Sequence, residues 1–360
     1  MSESSRRPVR AERGRPLRLG FVGCGRATTD IHLQVVRGLP EIEVAALADP
    51  EPAALRRALE LAPRAFAVAD PRALLDDPRL DAVAVCTPVR THAELALAVL
   101  DAGKHLFVEK PLAMTLADCD RLIARAAAAP LVAQVGFNTR WHRFALRARA
   151  LVAARSLGSI ELVRSGITSL FREVPIWRQR RSTGGGVVLE MAMHHFDLWR
   201  FVLGAEVDEV VARTRSGAWE DESAAITARM SDGTLVSASF AERAPPANRL
   251  EIHGREASLA VSFYRFDGFE RIAADATPGG FGRPLHDALR WARELPWALA
   301  ALPAGGEWRR AYREQWRQFA TAVRTGVVTG ATLDDGRHAL AVALAACQSA
   351  ARGAPERVAR

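Results

Sequence analysis

Lysine is nearly missing from this chain: Lys104 and Lys110 stand against 47 arginines in 360 residues. A cation that the sequence supplies almost everywhere as arginine is kept as lysine twice, six residues apart. Arginine stays protonated at any ordinary pH, whereas a lysine amine can be tuned to exchange a proton. Tyrosine occurs twice. The four cysteines, Cys24, Cys86, Cys119 and Cys347, are far apart and form no Cys-x-x-Cys pair. They read as buried thiols in a reducing, cytoplasmic compartment. No run approaches the roughly 18 apolar residues of a membrane span. Residues 1–15 have charges but no apolar centre, so a disordered tail is expected and not a signal peptide. The net charge is +8, but the arginines are scattered among acids. That pattern suits a solvated surface better than a nucleic-acid footprint. Apolar residues at 49% and charged residues at 25% fit a soluble globular protein long enough for two domains.

Up to about residue 138, apolar runs alternate with helical patterns. Strands are expected in Leu17–Gly25, Ile42–Pro50, Phe66–Ala69, Leu80–Pro88, 104–111 and 131–138, with a helix after Gly25 reaching about Leu39. Such alternation implies a doubly wound parallel sheet with helices on both faces. Beyond Asn138 the stretches "GSIELVRSGITSLF", "VDEVVARTRS", "SAAITARMSDGTLVSASFAER" and "NRLEIHGREASLAVSF" alternate apolar and polar residues. They predict a large, mainly antiparallel sheet with one covered face, and "SDGT" predicts a hairpin turn. A last helical region is expected from about Glu307 to Ala351. The fold class is therefore α/β, with 16–138 a nucleotide-binding domain. Residues 139–360 form an α+β substrate and oligomerisation domain whose final helices are free to return to the first.

Gly23 and Gly25 lie between the first strand and its helix, where free backbone amides and the helix dipole suit a phosphate. The third glycine usual in such turns is replaced by Thr28, beside Ala27. Asp49 ends the second strand, 24 residues past Gly25. An acid there binds ribose hydroxyls and repels a 2′-phosphate, so NAD is favoured over NADP. "CTP" (Cys86–Pro88) and "EKP" (Glu109–Pro111) also end parallel strands, at the edge where ligands of open α/β sheets bind. Lys110 is thus a site candidate. Lys104, at the other end of its strand and after a helix terminus, reads as structural.

"GGGVVLEMAMHHFDLWRFVLG" (Gly184–Gly204) carries Glu190, His194, His195 and Asp197 on an otherwise apolar helix. Spacings of 4 and 3 place Glu190, His194 and Asp197 on one face, with His195 pointing elsewhere. Ionisable groups on an apolar helix are costly unless paired or used. A buried network tying helix to sheet, a metal site and acid–base chemistry by His194 are all open; the last suits a histidine best. No metal signature is matched, and no metal is expected.

These stretches together resemble the Gfo/Idh/MocA family of oxidoreductases. The resemblance rests on the glycine turn with His32 downstream, "TPVRTHAELALAVLDAGKH", "EKP", "VGFNTRW" and "GGGVVLEMAMHHFD". It implies a Rossmann domain and a sheet-rich domain whose open sheet forms oligomer contacts, giving a homo-oligomer, dimer or tetramer. It also implies hydride transfer between NAD(P) and a sugar, cyclitol, related polyol or ketosugar. Lys110 falls on the family's catalytic lysine, and Glu190, His194 and Asp197 fall on its Asp-x-x-x-His-x-x-Asp pattern. Glu190 stands where aspartate is usual, Ala192 where glycine is common and Val89 where asparagine is common. The expected catalytic groups are Lys110, His194 and Glu190. Cofactor contacts are expected from Gly23, Gly25, Arg26, Ala27, Thr28, Asp49, Thr87, Pro88, His92, Glu109 and Lys110. Substrate contacts are expected from Asn138, Arg140, Trp177 and Asp197, with His142 nearby.

Two other functions compete: a redox-assisted glycosidase or lyase that regenerates its NAD, and a non-catalytic nucleotide-binding protein. One segment stands apart. Leu285–Phe319 holds Trp291, Trp297, Trp308 and Trp316, half of all tryptophans. Packing between subunits or over the active site is its first reading, and a peripheral membrane contact its second.

Overall fold

The unbroken apolar runs become the strands of a parallel sheet. The computed structural model describes residues 14–170, 173–276 and 282–360, and it forms two units. The first runs up to Asn138 and includes Tyr312–Leu340; the second comprises Thr139–Ala311 and Ala341–Arg360. The expected tail lies, through residue 13, outside the described residues. Residues 312–340, assigned from sequence to the second domain, group with the first unit.

In the first unit β1 (Leu17–Val22), α1 (Leu33–Val36), β2 (Ile42–Ala48), α2 (Pro52–Leu61), β3 (Phe66–Val68) and α3 (Pro71–Leu75) lead to β4 (Ala82–Val85). Then come α4 (His92–Asp101), β5 (His105–Val108), α5 (Leu116–Ala127) and β6 (Ala133–Val135). All pairs are parallel, in the order β3-β2-β1-β4-β5-β6. Every residue of β4 and β5 is buried, as strands covered on both faces require. Side chains start the helices: Glu51 accepts the Ala53 N–H, Asp70 that of Arg72 and Thr115 that of Asp118. The helix after the glycine turn departs from expectation. Residues Ala27–His32 form a π-helical turn, and only α1 is α-helical. The Thr28 hydroxyl donates to the Gly23 carbonyl at 2.6 Å and that of Thr29 to Gly25 at 3.2 Å. Hydroxyls that bond back to carbonyls of the preceding turn distort helices in this way.

The second unit opens with α6 (Arg143–Ala153), a helix the alternation reading passed over. It continues with β7 (Ile160–Thr168), α7 (Met193–Leu203), β8 (Val207–Arg215), β9 (Ser223–Met230) and β10 (Leu235–Ala241). After β11 (Ala247–Gly254), β12 (Ala257–Ser262) and β13 (Phe269–Ala273) come α8 (Arg283–Ala301), α9 (Glu307–Thr325), α10 (Leu333–Arg352) and β14 (Glu356–Arg357). The sheet order is β13-β12-β11-β7-β10-β9-β8-β14, antiparallel except for the parallel β7–β10 pair. Along β9 and β10 every second residue is buried, from Ala224 to Met230 and from Val236 to Phe240. Gly233, with φ +90°, turns the hairpin expected at "SDGT".

The tryptophan-rich segment divides. Trp291, Trp297 and Trp308 are exposed, with Leu285, Leu289, Leu299 and Leu302 of the same stretch. Trp316 is fully buried and joins Phe319, Ala320 and Val323 in one core with Leu17, Phe21, Leu33 and Phe107 of the first unit. Among the described residues no helix is long and apolar enough to cross a membrane.

Candidate active site

In the first unit the sheet's carboxyl edge gathers the glycine turn, Asp49, Thr87, Glu109 and Lys110. Gly23 has φ +91°, and a Cβ there would lie 2.7 Å from the Cys86 carbonyl oxygen. Only glycine allows β1 to leave the sheet so close to β4. Gly25 is exposed, with nothing within 4 Å of the position a Cβ would take. The backbone at the helix start is therefore open to a diphosphate. Asp49 accepts the Cys24 N–H at 2.7 Å through Oδ2 and the Glu51 N–H at 2.8 Å through Oδ1. It ties the turn to the end of β2 and keeps lone pairs for ribose hydroxyls. These residues fit a bound dinucleotide.

The other expected cofactor residues take varied places. Arg26 is exposed and reaches Asp30, and Ala27 is half-buried. Thr28 is fully buried with its hydroxyl on Gly23, so it locks the turn from within. Thr87 is half-buried and Pro88 exposed at the end of β4. The buried ring of His92 contacts the Pro111 carbonyl at 2.7 Å and the Thr87 carbonyl at 2.8 Å. It clamps the ends of β4 and β5 together, and burial pushes its pKa down. Lys110 precedes a cis peptide to Pro111 and is half-buried. Glu109 bonds His32 at 3.0 Å and the Lys110 N–H at 3.1 Å. Asn138 is buried at the end of this unit.

In the second unit the helix of the ionisable groups is not uniform. Val188–Ala192 is π-helical and leads into α7, so the ideal 3.6-residue spacing does not run from Glu190 to Asp197. Gly184–Gly186 feed this turn; Gly186 has φ +86°, and the Gly186 N–H donates to Arg178. Glu190 lies 3.3 Å from the Arg178 guanidinium, which also meets Glu242 at 3.3 Å. His194 is half-buried. Asp197 is only 2% exposed and takes a two-pronged bond from Arg140, at 2.8 and 2.5 Å. The two expected substrate residues thus hold each other. Trp177 is half-buried, and its carbonyl accepts the Thr183 hydroxyl at 2.6 Å. His142 caps α6 by accepting the Phe144 N–H at 3.2 Å, with its pKa pushed down to about 4, mostly by burial.

The buried network between helix and sheet exists, but His195 makes it. Trp199 Nε1–H donates to Ser165 Oγ at 2.9 Å, Ser165 Oγ bonds His195 Nδ1, and His195 Nε2–H donates to Asn248 Oδ1 at 3.1 Å. Burial lowers its pKa to about 4. Among the described residues Glu270, His286 and Asp287 stand close enough together for a metal, but Arg290 pairs with both acids, at 2.7 and 3.2 Å. The four cysteines are free and buried. Sequence reasoning missed Arg178, Ser165, Asn248 and Trp316 as partners of these groups. No local pattern marks them, because Trp316 lies 284 residues from His32 and Asn248 lies 53 from His195.

A parallel sheet of this order, with a glycine turn after β1 and an acid ending β2, defines a dinucleotide-binding Rossmann unit. A sequence model for an oxidoreductase family with an NAD-binding Rossmann fold, Gfo/Idh/MocA, matches residues 17–137, and that of the family's C-terminal domain matches 145–260. The chain belongs to the Gfo/Idh/MocA oxidoreductases. It is 29% identical over 342 residues to a myo-inositol 2-dehydrogenase of Thermotoga maritima, covering 92% of this chain and 96% of that one. A crystal structure of a probable dehydrogenase from Thermotoga maritima superposes with a TM-score of 0.77 at 25% identity, over 95% of this chain and 99% of that one. The WlbA dehydrogenase of Bordetella pertussis, solved with NADH and UDP-GlcNAcA, shares the fold with a TM-score of 0.80 at 20% identity, over 96% and 99% of the two chains.

Proposed function

We propose that this protein is a dehydrogenase or reductase acting on a CH–OH group of a cyclitol, sugar or related polyol, with NAD preferred to NADP. The observation that carries the reading is the edge of the first unit's sheet. It sets an open glycine turn, a ribose-binding acid and a lysine at the ends of β1, β2 and β5. The carboxylate of Asp49 would repel a 2′-phosphate at the place where it welcomes a ribose diol. The myo-inositol and UDP-sugar names of similar proteins support a polyhydroxylated ring as substrate.

NAD, when bound, supplies the hydride acceptor. Every other task falls to side chains. Lys110 holds the alkoxide charge that develops on the substrate oxygen and relays its proton. His194 accepts the hydroxyl proton. Glu190, restrained by Arg178, orients His194 or a neighbouring hydroxyl. Gly23, Gly25 and Asp49 seat the cofactor. Buried free thiols support a reducing, cytoplasmic setting. A homo-oligomer is supported by the exposed sheet face, which presents small residues such as Thr227, Ser237 and Ser239. Purified protein with NAD and a panel of cyclitols and nucleotide sugars should show stoichiometric growth of the reduced-nicotinamide absorbance. Turnover without net NADH would instead identify a transient-oxidation glycosidase or lyase, and no turnover on any of them would leave a nucleotide-binding protein.

A further inference from the structure

His32 has no task in that chemistry, yet it is only 1% exposed and directly bonded to the residue before Lys110. Its ring is boxed by Phe21, Phe107, Tyr312 and Trp316, with centroids 5.5 to 6.2 Å away. The two ring nitrogens have different partners. Trp316 Nε1 lies 3.2 Å from Nδ1, and Glu109 Oε1 lies 3.0 Å from Nε2. An indole N–H can only donate. Nδ1 therefore presents a lone pair, and the ring proton sits on Nε2 and points at Glu109. The other oxygen of Glu109 accepts the Lys110 backbone N–H at 3.1 Å. On the remaining side is Gly136, where a Cβ would come within 2.7 Å of Glu109 Oε1.

We propose that His32, locked by Trp316 as the Nε2–H tautomer, is a positioning residue for Lys110 and acts through the Glu109 carboxylate. The proposal rests on the reading of Lys110 as the catalytic amine. A carboxylate pinned by the imidazole fixes the backbone at the end of β5, from which the Lys110 side chain departs. Charged and titratable groups around the imidazole are few. Glu109 faces it from β5 and Tyr312 from α9, while Lys110, His92 and Cys86 act on or near Glu109. The Trp316 N–H occupies the one lone pair on which the ring would take a second proton. The lock keeps the Nε2–H donor aimed at Glu109.

The test uses the full chain and three variants, His32→Leu, His32→Gln and Trp316→Phe. It reads kcat, KM, thermal unfolding, NADH affinity by fluorescence and the imidazole nitrogen shifts by NMR. In His32→Leu, kcat should fall about tenfold while NADH affinity changes by no more than about twofold, because a small misplacement acts mainly on the reacting geometry. His32→Gln keeps an N–H within reach of Glu109 and should recover most of the lost kcat. Trp316→Phe removes the donor to Nδ1, so the pure Nε2–H signature should give way to a mixture of tautomers. Wild-type His32 should show the Nε2–H tautomer. Wild-type kcat in folded His32→Leu overturns the proposal. So does a His32→Gln variant that loses kcat and NADH affinity in step with His32→Leu. Should His32→Leu fail to fold, the wild-type spectrum decides, and an Nδ1–H ring overturns the lock. Failure of the underlying reading looks different: Lys110→Arg would then turn over normally, withdrawing both claims, whereas failure of His32 alone leaves Lys110→Arg impaired.

Discussion

Lys104 is 3% exposed, and its ammonium donates to the carbonyls of Asp77 and Leu80, each at 2.8 Å. A compact three-donor group fits between two carbonyls, whereas a longer planar guanidinium would overfill the space. Lys104→Arg should therefore lower stability by about 1–3 kcal/mol, read from denaturant unfolding, with kcat of the surviving enzyme unchanged. Lys110 keeps its amine for another reason. Lys110→Arg preserves the charge but holds its protons too tightly to relay one, and kcat should fall about a hundredfold while NADH affinity holds. Near-normal turnover would remove proton relay by this residue. Asp49→Ala frees the glycine turn from the end of β2 and removes the charge that repels a 2′-phosphate. The ratio of kcat/KM for NAD over NADP should drop at least about tenfold, in steady-state rates with the two cofactors.

Between α7 and the sheet, the chain of Trp199, Ser165, His195 and Asn248 needs a neutral imidazole. The pKa of about 4 for His195, and the similar value for His142, lie below the usual 6.5 of an unfolded chain. Below about pH 6.5 the unfolded chain takes up protons that the folded chain refuses, so stability is complete above that pH and is lost as pH falls toward about 4. Each histidine should lower the unfolding free energy by about 2 kcal/mol between about pH 6.5 and 5. Urea titrations at these pH values check this, and a His195→Asn variant should show a shallower slope. The elements that make this network were only partly legible. The alternation of "SAAITARMSDGTLVSASFAER" revealed β9, β10 and their turn, because one face is covered and one is not. The apolar runs revealed β1, β2, β4 and β5. The parallel β7–β10 pairing was not legible, since pairing partners 73 residues apart (235 − 162) leave no local mark. The helical spacing of Glu190, His194 and Asp197 misled at one point. Glu190 itself lies in a π-turn, and Asp197 pairs with Arg140.

The first unit is discontinuous, and its core depends on what arrives last. Trp316 and Phe319 are fully buried there, with Ala320 and Val323 beside them. Burying such aromatic side chains contributes about 1.5–3 kcal/mol each, a large part of the roughly 5–15 kcal/mol that holds a domain together. A chain ending at residue 311 should not give a cooperative thermal transition for its Rossmann unit; residues 14–138 supplied with a tethered 312–340 segment should regain one. Calorimetry distinguishes the two, and a sharp transition without 312–340 would contradict the placement of Trp316. The glycine turn and Asp49, which the proposed function assigns to the cofactor, could be picked out in the first 140 residues. The residue that orients His32 could not, because it is encoded in a helix near the other end.

That arrangement also governs how the protein is made. After residue 138 is made, 178 more (316 − 138) must be translated before Trp316 can fill its slot, an interval of roughly 9–36 s at ordinary elongation rates. Until then Phe21, His32 and Phe107 lack the indole that packs against them in the finished unit. Premature termination anywhere before residue 312 yields a fragment with the nucleotide-binding glycines but no finished core to hold them.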